Sequence, residues 1–282
     1  MKKKYQDIKQ IANCIRQDVI TMLVTAGSGH IAGSLGMADV FTALYLGGIA
    51  RHDPRRPQWK NRDRVVVSNG HICPVWYATL ARSGYFAMQE LKTLRQLGSR
   101  LQGHPHRGSL PGIENTSGPL GQGVSVAVGL ALAAKMDSAS WRVFCIISDG
   151  ELNEGQTWEA CMLAHKYHLG NLVFLCDRNT IQIDGCTEDV MPLEPLREKF
   201  EAFGLYVIEA DGHNIAHIID ACNTAKSVLD KPTMIICHTI PGKGVEFMQG
   251  KYQWHGKSLN EKEGRQALRA LRSLGGRIDY EV

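Results

Sequence analysis

The 282-residue sequence predicts an α/β fold, a parallel β-sheet with helices on both faces. Two observations carry that expectation. From Val143 onward, short β-branched apolar runs alternate with segments of helical periodicity, the pattern of successive βαβ units. No repeat, low-complexity tract or linker interrupts this alternation before Lys257.

Apolar residues at Ile8, Ile11, Ala12, Ile15, Val19, Met22 and Leu23 fall at helical spacing and predict an amphipathic helix over Ile8–Val24. The segment Gly27-Ser28-Gly29-His30 ends it, and a second helix is expected over Met37–Tyr45. Arg64–Ser68 has the β-branched character of a buried strand and runs into the turn signal Asn69-Gly70-His71. Helices are expected over Pro74–Ser83 and Met88–Leu97. Gly98–Gly123, rich in Gly, Pro, Ser and His without a clear period, reads as a long ordered loop, and loops of that length inside a domain are usually functional. Small residues then predict a closely packed helix over Gly121–Ala134. Strand Val143–Ser148, helix Gln156–Tyr167, strand Leu172–Asp177, helix Leu193–Phe203, strand Tyr206–Glu209, helix Ile215–Leu229 and strand Thr233–Thr239 follow in turn. These elements assign residues 1–256 to one domain. Residues 257–282 form a polar tail with a short helix near Lys262–Leu274, which either docks on a partner or frays.

Composition narrows the function. The net charge is +4 and the basic residues are scattered, not gathered into a stripe, which argues against nucleic-acid binding. A mild positive balance suits anionic small substrates. The eight cysteines contain no C-x-x-C pair and several sit in apolar runs, so they read as thiols of a reducing compartment. No apolar run approaches the roughly 20 residues of a membrane span, and the basic start is not followed by an apolar signal core. A cytoplasmic protein without membrane contact is expected.

Ligands of open parallel sheets bind beyond the carboxyl ends of the strands. Two such ends carry oxygen donors, Ile147-Ser148-Asp149-Gly150-Glu151 and Asp177-Arg178-Asn179-Thr180-Ile181. Asp149 and Asn179 would be neighbours at one rim, an incomplete all-oxygen shell of the kind Mg²⁺ completes with water and phosphate oxygens. Taken singly, Asp149 also fits the N-cap of the next helix and Asn179 a turn. Two further glycine-rich stretches are set aside. Gly27–Gly33 follows a helix where a dinucleotide fingerprint needs a strand, and Pro241-Gly242-Lys243-Gly244 lacks P-loop spacing.

The run from Ser148 to Gly185, with Asp149-Gly150 and then Asn179 about thirty residues on, closely resembles the thiamine diphosphate motif of transketolases. Ser148 stands where that motif has its first glycine. Ser28-Gly29-His30, Ser68-Asn69-Gly70-His71, Gly103-His104-Pro105, Thr116 to Gly123 and Trp254-His255-Gly256 extend the resemblance in order along the chain. The resemblance implies thiamine diphosphate and Mg²⁺ as cofactors, with Asp149 and Asn179 as side-chain metal ligands and Ile181 as a carbonyl ligand. Gly150 would pack on the diphosphate, and Gly118, Pro119 and Leu120 would line the cofactor. His71 and His255 would contact the diphosphate or the reacting centre. His30 and His104 would bind donor-sugar oxygens and shuttle protons, work that suits imidazole. Glu154 matches a position near the dimer interface, and equally fits an acid favoured in a first helical turn. The implied activity is transfer of a two-carbon ketol unit from a ketose phosphate to an aldose phosphate.

The pyrimidine-binding domain that brings the activating glutamate and the substrate-phosphate arginines is not in this chain. The resemblance is therefore to the amino-terminal subunit of a split transketolase, with a separate carboxy-terminal subunit in an α₂β₂ assembly. A deoxyxylulose-phosphate synthase-like subunit, an α-ketoacid dehydrogenase subunit and a non-catalytic cofactor-binding subunit are the alternatives.

Overall fold

The computed structural model describes residues 2–273. Helix α1 (Lys2–Ala26) is followed by the short α2 (Ala32–Gly36) and by α3 (Ala38–Tyr45). Strand β1 (Arg64–Val67) leads through a 3₁₀ turn at Gly70–Ile72 into α4 (Cys73–Arg82). After a long loop come α5 (Gln122–Met136), β2 (Val143–Ser148), α6 (Gly155–Lys166) and β3 (Leu172–Arg178). A small hairpin, β4 (Ile181–Gln182) with β5 (Gly185–Cys186), precedes α7 (Thr187–Val190) and α8 (Leu196–Ala202). Strand β6 (Tyr206–Asp211), α9 (Ile215–Ser227), β7 (Thr233–His238) and α10 (Glu261–Ser273) complete the described chain.

Five strands form one sheet in the order β1-β2-β3-β7-β6, and every neighbouring pair is parallel. Successive strand residues point to opposite faces, and two hydrophobic cores divide them accordingly. Val65, Val67, Phe144, Ile146, Val173, Leu175, Ile235 and Cys237 join the core built with α1, α3, α4 and α9. Val66, Cys145, Ile147, Phe174, Cys176, Met234 and Ile236 join the core built with α5, α6 and α8. The expected architecture of a parallel sheet covered on both faces is the one observed.

Met88–Leu97 departs from the expected helix. The chain forms a 3₁₀ turn over Met88–Thr93, and Arg95 takes φ 60°, which ends any helix. The apolar residues Met88, Leu91, Leu94 and Leu97 recur every third position, the repeat of a 3₁₀ helix and not of an α-helix. Leu91 and Leu94 are buried while Leu97 is exposed. The helix expected from Leu193 starts only at Leu196, because Pro195 disfavours helical backbone in the residue before it. The hairpin and α7 are additions for which the apolar pattern gives no expectation.

Helix α10 lies on α1. Gly264, Ala267 and Leu271 are buried, a side chain at Gly264 would collide with Val24, and Asn13 Nδ2 donates to the carbonyl of Leu271 at 2.9 Å. Leu274, the last residue of the expected tail helix, lies outside the described residues. No described helix is long and apolar enough to cross a membrane.

A candidate cofactor site at the carboxyl rim of the sheet

The parallel register sets Ser148 opposite Asp177, so the residues that leave β2 and β3 meet at one rim. Asp149 is fully buried there. Its Oδ1 accepts from the Gly150 N–H at 2.8 Å. Its Oδ2 accepts from the Thr180 N–H at 2.6 Å and from Arg178 Nη1 at 3.2 Å. Asn179 Oδ1 accepts from the Ile181 N–H at 3.0 Å, and its Nδ2 donates to Asp177 Oδ2 at 2.7 Å. The two expected ligand oxygens thus sit on consecutive peptide N–H groups of a single turn, 180–181. A carboxylate offers about four lone pairs and an amide oxygen two, so one remains free on Asp149 and one on Asn179 Oδ1. That is the donor set of a hard cation which keeps further positions for water or phosphate oxygens. Among the described residues no three His, Cys, Asp or Glu side chains gather as a metal nest.

Burial raises the Asp149 carboxyl to about 6, against the opposing pull of the Thr180 N–H, Arg178 and the Gly150 N–H. It raises Asp177 to about 7, with Asp149 adding to the rise. Asp177 also accepts from the Thr239 hydroxyl and fixes which end of the Asn179 amide faces the turn.

The four histidines singled out in the sequence come together. His30 is central, with ring centroids 5.1 Å from His71, 5.5 Å from His255 and 6.5 Å from His104. His71 and His255 are 5.1 Å apart. His71 leaves the end of β1 in the 3₁₀ turn ahead of α4, and the same helix sets His104. Cys73 Sγ donates to the Gly103 carbonyl at 3.2 Å and the Tyr77 hydroxyl to that of Gln102 at 2.9 Å. His30 follows α1, its carbonyl held by Ser34 Oγ at 3.0 Å, and Gly256 lies against its ring. Burial, then the charges of His255, Arg95 and His104, lowers His30 to about 4. Burial and the other three histidines hold His71 well below its usual range. Burial lowers His104, helped by Arg95, and burial alone lowers His255. At neutral pH the cluster is uncharged.

Several buried polar atoms around this cluster have no protein partner. They are the Nδ1 atoms of His30 and His255, both amide atoms of Asn69, and Ser117 Oγ. Each such atom costs about 1–3 kcal/mol when left unpaired, so their grouping suits a polar ligand. The site therefore fits a polyoxyanion held through a divalent ion.

The remaining expected residues take up flanking positions. A Cβ added at Gly118 would stand 3.7 Å from the His104 ring, and the Leu120 carbonyl accepts from Gln156 Nε2 at 3.0 Å. Pro119 is exposed. A side chain on Gly150 would press on Gln182 Cβ at 3.2 Å. Ile181 is buried at the start of β4. Glu154 occupies the N-cap position of α6 with an exposed side chain that makes no capping bond. A cleft of about 430 Å³ lined by Arg62, Arg100, Arg107 and Glu114 contains none of the four histidines.

Sequence reading passed over two charged residues. Glu151 is fully buried and accepts from the Ser68 hydroxyl, from the Gly121 N–H at 2.5 Å and from the Ser148 N–H at 3.3 Å. It ties the ends of β1 and β2 to the start of α5, and burial raises its carboxyl. Arg178 joins Asp149 to Thr187, Glu188 and Glu194. A Glu just after Asp-Gly resembles an ordinary helix-start acid, and only the burial of the rim distinguishes it.

Fold and site define an α/β chain with a cluster of four histidines and with hard oxygen donors at the carboxyl rim of its sheet. The chain matches the family described as "Transketolase, thiamine diphosphate binding domain" over residues 8–275, and it belongs to that family. It is 42% identical over 275 residues to the 6-deoxy-6-sulfo-D-fructose transketolase subunit of Clostridium sp. (strain MSTE9), covering 98% of this chain and 100% of that one. It is 41% identical over 266 residues to an apulose-4-phosphate transketolase subunit of Phocaeicola vulgatus, covering 94% of each. The crystal structure of transketolase from Campylobacter jejuni superposes with a TM-score of 0.90 at 34% identity, over 98% of this chain and 44% of that one. The chain thus spans under half the length of that solved transketolase.

Proposed function

We propose that this chain is the amino-terminal subunit of a thiamine diphosphate- and Mg²⁺-dependent transketolase, a cytoplasmic enzyme that moves a two-carbon ketol unit from a ketose phosphate to an aldose phosphate. A separate carboxy-terminal subunit supplies the pyrimidine-binding domain, in an α₂β₂ assembly. Residues 1–256 form the diphosphate-type domain, and the tail 257–282 docks on the partner subunit.

The observations that carry the proposal are the convergence of Asp149 and Asn179 on one turn and of four histidines on one another. Asp149, Asn179 and the Ile181 carbonyl hold Mg²⁺, which in turn holds the diphosphate. Gly150 and the Gly118–Leu120 segment line the cofactor. Thiamine diphosphate, when bound, supplies the electron sink that allows the carbon–carbon bond beside a ketose carbonyl to break. The protein contributes placement and proton handling. His71 and His255 face the diphosphate end, and His30 and His104 bond sugar oxygens and exchange protons with them. Imidazoles held neutral at pH 7 accept a proton from a sugar hydroxyl and return it later. Glu154, exposed at the start of α6, faces the neighbouring subunit in the assembly.

The test is to co-purify the chain with its partner and follow ketol transfer from a ketose phosphate to an aldose phosphate. The expected rate depends on both subunits, on thiamine diphosphate and on Mg²⁺. Turnover with pyruvate in place of the ketose would reassign the chemistry to another thiamine enzyme. Cofactor binding without turnover of any ketose would leave a binding-only subunit.

A further inference from the structure

Arg178, the last residue of β3, is a buried cation set beside the Asp149 carboxylate. Its Nη1 donates to Asp149 Oδ2 at 3.2 Å and to the Thr187 hydroxyl at 2.8 Å. Its Nη2 donates to Glu188 Oε1 at 2.7 Å and to Glu194 Oε1 at 2.9 Å. The backbone holds the two glutamates in turn. Glu188 Oε2 accepts from the Leu193 N–H at 3.2 Å and from the Glu194 N–H at 3.3 Å. Glu194 Oε2 accepts from the N–H of Leu196, the first residue of α8, at 2.8 Å. The guanidinium is thus gripped on one side by the rim and on the other by the segment after the hairpin.

This leaves the lone pairs of Asp149 unequally shared. Counted at about two per oxygen, both on Oδ2 are taken, one by the Thr180 N–H and one by Arg178. Oδ1 gives one to the Gly150 N–H and keeps the other. The carboxylate can therefore touch an ion through one oxygen only. Asn179 is restricted in the same way, with Oδ1 on the Ile181 N–H and Nδ2 turned onto Asp177. Mg²⁺ demands a near-ideal octahedron, whereas the larger Ca²⁺ takes roughly 6–8 oxygens and often both of one carboxylate. The charge of Arg178 does not bar a cation, because three carboxylates share it.

We infer that Arg178, a positioning residue and not a ligand, holds Asp149 as a one-oxygen donor and so sets the preference of the site for a small octahedral ion over a larger one. This rests on the metal reading above and adds a selectivity determinant outside the ligand set. A lysine cannot take its place, since a single ammonium lacks the planar fork that spans Asp149, Thr187 and both glutamates.

The test is calorimetric titration of the assembled two-subunit protein with MgCl₂ and, separately, with CaCl₂, at saturating thiamine diphosphate. Parent, Arg178→Met, Arg178→Lys and Thr187→Val are compared by the ratio of their Mg²⁺ and Ca²⁺ affinities. Arg178→Met should weaken Mg²⁺ about 10- to 100-fold, the scale of losing a group that orients a metal ligand. Ca²⁺ should lose much less, because Oδ2 is then free to join Oδ1 on the larger ion. Arg178→Lys should recover only part of the ratio. Thr187→Val keeps a buried side chain of the same shape and removes one of the two contacts of Nη1. Its ratio should move in the same direction by less, and it decides the matter if Arg178→Met does not fold. Equal weakening of both ions would make Arg178 a mere brace of the rim, and unchanged affinities would make it a bystander. Either result, in a parent that binds an ion, overturns this inference alone. A parent that takes up neither ion removes the metal reading itself, and the inference with it.

Discussion

His30 owes its neutrality to where it stands, between His71, His255 and His104 and under the influence of Arg95. A ring with its value lowered from 6.5 to about 4 resists protonation in the folded chain and accepts it once unfolded. Between about pH 6.5 and about pH 4 the unfolded state binds more protons, so the stability contributed by His30 is whole above that window and lost as acid is added. Asp149 and Asp177 act in the opposite sense. Their raised values mean that the folded chain keeps protons the unfolded chain gives up, so mild acid favours folding through them. These contributions cancel when His30→Gln is compared with the parent. Denaturant midpoints from pH 7 to pH 4.5 should converge as acid is added, because the variant lacks the acid-sensitive part. Parallel pH profiles would mean that His30 is protonated in the folded chain as readily as in water. Of the residue-level site, Asp149, Asn179 and the four histidines were legible in the sequence because each sits in a compact motif. Glu151 and Arg178 were not, because their contacts come from burial and from loops that approach only in three dimensions.

At the scale of elements, the strands were the most legible features. Apolar runs such as Val143–Ile147 and Leu172–Cys176, short and rich in β-branched and aromatic residues, read as strands covered on both sides, and they are. Sheet order was less accessible, since inserting β7 between β3 and β6 depends on packing that no local pattern encodes. The segment from Met88 shows how a period of three passes for helix until one left-handed residue is recognised. Helix α5 gives a paired test of element packing. A Cβ on Gly123 would lie 2.5 Å from Ser68 Cα and 2.6 Å from its Cβ, so alanine there must push α5 away from the end of β1. Gly129 is exposed on the same helix with nothing within 4 Å of an added Cβ. Gly123→Ala should destabilise the chain by about 1–3 kcal/mol through overpacking. Gly129→Ala should stabilise it by about 0.5–1 kcal/mol through lost backbone freedom in the unfolded state. Urea titrations of the two variants should move in opposite directions. A stable Gly123→Ala would show that the β1 turn, and His71 with it, can shift without cost.

Across the whole molecule, the rim of the sheet gathers groups whose burial costs stability until a ligand satisfies them. The cores on both faces are closed, yet the carboxyl ends of β1, β2 and β3 gather raised carboxyls, neutral imidazoles and unpaired amide and hydroxyl atoms. A ligand that satisfies those atoms binds the folded chain and not the unfolded one, so it must raise stability by mass action. With thiamine diphosphate and Mg²⁺ each at a hundredfold excess over its dissociation constant, the gain is at least about 2.7 kcal/mol, or roughly 5–10 °C in the thermal midpoint. Chelation of the divalent ion should reverse that gain, because the diphosphate and the Asp149 carboxylate would then face each other with no cation between them. Asp149→Asn tests the metal role most directly. It preserves shape but replaces one oxygen by an N–H₂ group that must face the Gly150 N–H, the Thr180 N–H, the Arg178 guanidinium or the ion. In that variant the Mg²⁺-dependent part of the shift should disappear, measured on the assembled protein with thiamine diphosphate present throughout. A full Mg²⁺ response in Asp149→Asn would place the ion elsewhere and separate the turn at residues 180–181 from cofactor binding.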